Sequence, residues 1–149
     1  MKKFSFNLKA LLELREWEEQ VARNAFSQSV HEVSKLEDRA RFAEEEKESI
    51  CREWNESRSQ SFSRNDRLGL NAAMANASRV AEESGRTLME ARKRSDEALT
   101  RLKLAVRHRK VVANLKQRRL EEYQAEAQRQ ETIEIEDIYN ARSIERNGI

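Results

Sequence analysis

The chain has 149 residues, no proline, only three glycines (Gly69, Gly85 and Gly148), and a charged fraction of 38%. Long helices are therefore permitted almost everywhere, because proline is the residue that most reliably stops them. A hydrophobic share of 38%, rich in alanine, excludes a thick multilayer core, and 29 basic against 27 acidic residues exclude whole-molecule attraction to nucleic acid or anionic lipid.

The opening residues, Met1-Lys2-Lys3-Phe4-Ser5-Phe6-Asn7-Leu8-Lys9, begin in the manner of a signal peptide. Lys9 and Glu13 interrupt any apolar core, however, and no small-residue cleavage site follows. No stretch reaches the roughly 20 apolar residues that cross a bilayer. The expectation is a soluble, cytoplasmic protein. A first helix is predicted over about 5–58. Within it Leu14, Trp17 and Val21 are spaced three and four apart, as are Phe26, Val30 and Val33. Leu36, Ala40, Ala43, Lys47, Ile50, Trp54 and Ser57 continue the rule in another phase, which implies a slip in the seam.

The pattern then fails. Ser57, Ser59, Ser61 and Ser63 alternate with Arg58, Gln60, Phe62 and Arg64, and Asn65-Asp66-Arg67-Leu68-Gly69-Leu70 follows. These residue types favour turns, so a connection is predicted over about 59–70, with Phe62, Leu68 and Leu70 as an exposed apolar tip. Asn71 is the expected N-cap of a second helix over about 71–145, opening Ala72-Ala73-Met74. Ala77, Ala81, Ser84, Leu88, Ala91, Ser95, Ala98, Leu102 and Ala105 repeat four and three, with Val112 one heptad beyond. That is the signature of a left-handed coiled coil. At 1.5 Å per residue the helices would be roughly 80 and 110 Å long.

Charge predicts how the helices pair. If residues whose numbers add to about 132 face each other, 37–48 (six acids, three bases) meet 84–95 (four bases, one acid). Basic 101–119 meets the acidic cluster Glu13, Glu16, Glu18 and Glu19, and acidic 120–139 meets Lys2, Lys3 and Lys9. All three blocks match in sign. The fold expected is all-α, a single domain over 1–149: two long helices in an antiparallel coiled-coil hairpin, the second helix longer and overshooting near 130–145.

Chemistry is sparse. One cysteine, Cys51, allows neither an intramolecular disulfide nor a cysteine zinc cluster. His31 and His108 would not meet in the expected register, so neither a metal site nor a general base is indicated. Three scattered glycines cannot make a phosphate-binding loop. The basic run Arg107-His108-Arg109-Lys110 with Lys116, Arg118 and Arg119 lacks stacking aromatics, so a nucleic-acid partner is not expected. No enzyme activity and no cofactor are anticipated; shape and surface must carry the function.

Both ends of the sequence carry a likeness. Lys3-Phe4-Ser5-Phe6-Asn7-Leu8-Lys9-Ala10-Leu11-Leu12-Glu13-Leu14-Arg15-Glu16 resembles the opening of the flagellar export protein FliJ family. Arg118-Arg119-Leu120-Glu121-Glu122-Tyr123, with Glu126, Arg129, Glu131, Ile135, Asp137 and Ile138, resembles its distal second helix. The resemblance implies a non-enzymatic accessory stalk of the flagellar type III protein export apparatus, similar to the stalk of rotary ATP synthases. Its implied partners are the hexameric export ATPase, the export gate membrane protein and export chaperones. Localisation would be cytoplasmic, peripheral to the inner-membrane apparatus through those partners. ATPase contact is implied for Leu8, Leu11, Leu12, Arg15, Arg118, Arg119 and Tyr123. Gate contact is implied near the turn, where expected tyrosines are absent and Ile50, Trp54 and Met74 stand closest. The alternatives are the stalk of a virulence secretion system and a generic dimeric coiled-coil scaffold.

Overall fold

A computed structural model describes residues 2–59 and 63–148. The chain is all-α: α1 (Lys9–Ser57) and α2 (Arg64–Asn147) pack against each other as a hairpin, the second longer. Contacts divide it into a turn unit, Gln20–Leu104, and a terminal unit, Met1–Glu19 with Ala105–Ile149.

In the turn unit the ends of both helices are set by serine. The hydroxyls of Ser57 and Ser59 donate to the carbonyls of Trp54 and Glu56, each at 2.7 Å. Such local bonds offer the backbone an alternative to continued helix. On the return, the Ser63 hydroxyl accepts the Asp66 amide at 3.2 Å and the Ser63 carbonyl accepts the Arg67 amide at 3.2 Å. Ser63 is therefore the N-cap, and Asp66 lies in the first turn, where its charge complements the helix dipole. The connection expected over 59–70 is shorter than that, and Asn71 is helix interior rather than cap. Gly69 also lies within α2; no glycine among the described residues has a positive φ. Phe62 lies outside the described residues, Leu68 is exposed and Leu70 half-buried.

Antiparallel pairing in this unit is fixed by Glu37 with Arg92 (3.2 Å), Glu32 with Arg94 (3.3 Å) and Cys51 Sγ with Met74 Sδ (3.9 Å). The facing numbers add to 129 at Glu37 and Arg92 and to 125 at Cys51 and Met74, not to the expected 132. The earlier start of α2 accounts for the offset. Both ion pairs are half exposed, so each contributes only ~0.2–1 kcal/mol and mainly selects register.

The seam itself is narrow. Buried apolar residues are Leu12, Ala43, Ala77, Ala81, Ala91, Ala98, Ala105 and Val112, all but two of them alanine. On α2 every position expected from the four-three repeat is buried or half-buried. On α1 the expectation holds from Leu36 to Ser57 and at Phe26 and Val33, but not at the other earlier positions. Leu14, Trp17, Val21 and Val30 are exposed, and the packed positions are Leu12, Arg15 and Glu19, then Ala22, Phe26, Ser29 and Val33. These run three and four apart in phase with Leu36, so α1 has no slip. The apolar triplet had drawn the seam to the wrong face, because two of the true seam residues are charged.

α1 also begins later than residue 5. The Leu8 carbonyl accepts the Leu12 amide at 3.0 Å, and residues 2–8 are not helical. Lys9 pairs with Glu13 on its own helix (3.9 Å) rather than with acidic residues of α2.

Two substitutions in the turn unit test this packing. A Cβ added at Gly85 meets nothing within 4 Å, so Gly85→Ala should raise stability by about 0.5–1 kcal/mol in urea unfolding followed by helicity. Ala91, 2% exposed, has no room to grow. Ala91→Leu should lower stability by about 1–3 kcal/mol in the same measurement, and a gain would mean the helices are not closely apposed there.

Candidate functional site

The terminal unit carries most of the residues implicated in partner contact. Here residues 2–8 lie across α2 instead of extending α1. The Phe4 and Tyr123 rings are 5.5 Å apart between centroids and tilted by 54°. The Tyr123 hydroxyl donates to the Lys2 carbonyl at 2.6 Å. Arg119 Nη1 donates to Asn7 Oδ1, and the Arg119 Cζ sits 5.9 Å from the centre of the Phe6 ring. Arg119 and Tyr123 share a helix face because they are four residues apart. The local sequence explains the extended segment. Phe4-Ser5-Phe6-Asn7 combines poor helix formers with aromatic rings at alternating positions, and both rings find partners on α2.

The other expected contact residues differ in exposure. Leu8 and Leu11 are half-buried, and Arg118 is exposed. Arg15 is half-buried and pairs with Glu18 at 2.9 Å. Leu12, at 8% exposure, packs between the helices and presents no surface. Leu14 and Trp17 are exposed instead. Past Tyr123, α2 continues without a partner helix in this unit: residues 128–142 are all exposed, including Ile133, Ile135, Ile138 and Tyr139.

Sequence reasoning missed the charged layer in this seam. Glu19 is buried to 7% exposure and accepts a bond from Arg109 Nε. A buried carboxylate needs such a partner, since removal from water costs several kcal/mol when uncompensated. The clue was available in the spacing: Leu12 to Glu19 is seven residues, one heptad, and Arg109 belongs to the basic run opposite.

In the turn unit Ile50, Trp54 and Met74 are all half-buried. Met74 reaches Cys51, while Trp54 lines a small groove with Ser57, Arg58 and Arg67. A second open groove is lined by Phe42, Ala43 and Val80 with Asp38, Arg39, Glu46 and Ser84. His31 and His108 are each exposed, and no group of three metal-ligating side chains occurs among the described residues. No described helix is long and apolar enough to cross a membrane.

The family model of the flagellar FliJ protein matches residues 4–148, nearly the whole chain. The chain belongs to the flagellar FliJ protein family. It is thereby a non-catalytic component of the flagellar export apparatus. No curated protein and no solved structure gives a match. In this FliJ-family chain the terminal unit sets aromatic and charged side chains from both ends of the sequence against each other.

The charged layer beneath that surface can be tested directly. Arg109→Leu leaves the Glu19 carboxylate without this partner and should cost about 1–3 kcal/mol of unfolding free energy. Glu19→Leu combined with Arg109→Leu should recover most of that loss, since an apolar pair of similar size needs no compensation. A double variant as unstable as the single one would show that the pair does not act as a unit.

Proposed function

We propose that this FliJ-family chain is a non-enzymatic accessory subunit whose terminal unit binds the hexameric flagellar export ATPase. The observation that carries the reading is the face of α2 bearing Arg119 and Tyr123, which holds two rings and an amide oxygen supplied by Phe4, Phe6 and Asn7. Arg118 stands exposed beside it, and Leu8 and Leu11 remain half-buried at its edge. Leu12 supports the surface from within, and Arg15 is held by Glu18. The turn unit, with Ile50, Trp54 and Met74, is the part proposed to engage the export gate. Export chaperones are further partners in this reading.

Mechanistically the subunit needs no bond-making step. A protein that binds the assembled ring better than its separate subunits shifts the equilibrium toward the ring by mass action. Two units with different surfaces allow one chain to serve two partners.

The test uses the purified export ATPase. Arg118→Glu reverses an exposed charge without touching the seam, and should weaken binding about tenfold at low salt by removing charge complementarity. Stimulation of ATP turnover and ring assembly should fall in parallel. Undiminished stimulation would remove Arg118 from the contact surface.

A further inference from the structure

We propose that the Arg119 and Tyr123 face of α2 is a recognition surface kept occupied by the chain's own residues 2–7, and that an extended, aromatic and acidic partner segment displaces them. The inference rests on the export ATPase being the terminal unit's partner.

The self-occupied state is visible in four contacts. Phe4 covers the Tyr123 ring, Phe6 lies under the Arg119 guanidinium, Asn7 Oδ1 accepts from its edge, and the Lys2 carbonyl accepts the phenol proton at 2.6 Å. Together they specify a ligand: an extended backbone, two flat rings, one acceptor for a guanidinium and one main-chain carbonyl. Among the described residues, these ring contacts and hydrogen bonds are what ties the segment to α2. The segment's one turn-like backbone bond runs from the Lys9 amide to the Phe6 carbonyl at 3.2 Å, and both side-chain bonds are exposed to water.

Arg119 and Tyr123, by contrast, stand within the unbroken helix of α2, whose backbone bonds do not depend on the segment. The occupant is also a weak match for its own site. Asn7 offers a neutral amide oxygen to a cation, whereas a carboxylate would make a shorter, charge-assisted and bidentate contact. Exposed Arg118 next to Arg119 raises the positive charge further. A partner segment with aromatic residues beside an Asp or Glu therefore outcompetes the amino-terminal residues. Closure lowers the chain's apparent affinity by the fraction of molecules that stand open.

The chain contains two tyrosines, Tyr123 and Tyr139, so fluorotyrosine labelling gives two resolvable signals. In the full chain, Phe4→Ala combined with Phe6→Ala should move the Tyr123 signal, leave that of Tyr139 in place and keep helicity unchanged. The same variant should bind the purified export ATPase about tenfold more tightly than wild type, if the closed form outnumbers the open by that ratio. Addition of ATPase to wild type should shift the Tyr123 signal toward its position in the variant. Wild-type binding with no tightening, or weaker binding, in the variant overturns the self-occupied surface alone. Failure of both proteins to bind overturns the ATPase reading and this inference with it.

Discussion

Alanine at positions 77, 81, 91 and 98 brings the α2 backbone close to α1 in the turn unit, and Ala105 plays the same part in the terminal unit. Small knobs give a short interhelical distance, and a short distance leaves open grooves rather than an enclosed cavity between the helices. None of the described side chains is completely enclosed. Chemistry that depends on a dry cavity is therefore unavailable, and what remains is contact between surfaces. The scarcity of glycine and the lack of proline serve the same end, since each keeps the seam in phase over many turns.

Where the seam carries charge, it gains direction at some cost in strength. Glu19 with Arg109 in the terminal unit, and Glu37 with Arg92 in the turn unit, tolerate few other alignments. A shift by one heptad toward Leu102 would bury Glu19 against an apolar side chain, which is far costlier than losing an exposed pair. An alanine-rich interface has little shape specificity of its own. Polar positions supply what the methyl groups cannot.

Much of this was legible in the amino-acid order, and the failures have physical causes. The alanine and serine repeat of α2 predicted its packed face because small residues recur there at unbroken four-three spacing. Leu14, Trp17 and Val21 misled because they obey the same spacing, offset from Leu12, Arg15 and Glu19. Size and apolarity were weighed above phase, although Glu19 stands one heptad from Leu12 and faces the basic run. The start of α2 was misjudged because Gly69 and Asn71 suggest a turn, while Ser63 caps the helix before either is reached. The amino-terminal segment read as helix because its leucines continue into one. Only with α2 beside it do Phe4 and Phe6 have rings to cover.

Beyond Tyr123, the stretch of α2 from 128 to 142 is exposed all round. Its helix is held by backbone bonds and local pairs such as Glu126 with Arg129, with no apposed strand of chain to share the burden. Such a stretch lacks the tertiary packing that supplies most helical stability in proteins. Reinforcing the seam elsewhere does little for these residues, because 128–142 are all exposed and their fraying uncovers little packed surface. Protection of those amides thus depends on whatever neighbour covers Ile133, Ile135 and Ile138, and on little else in the molecule.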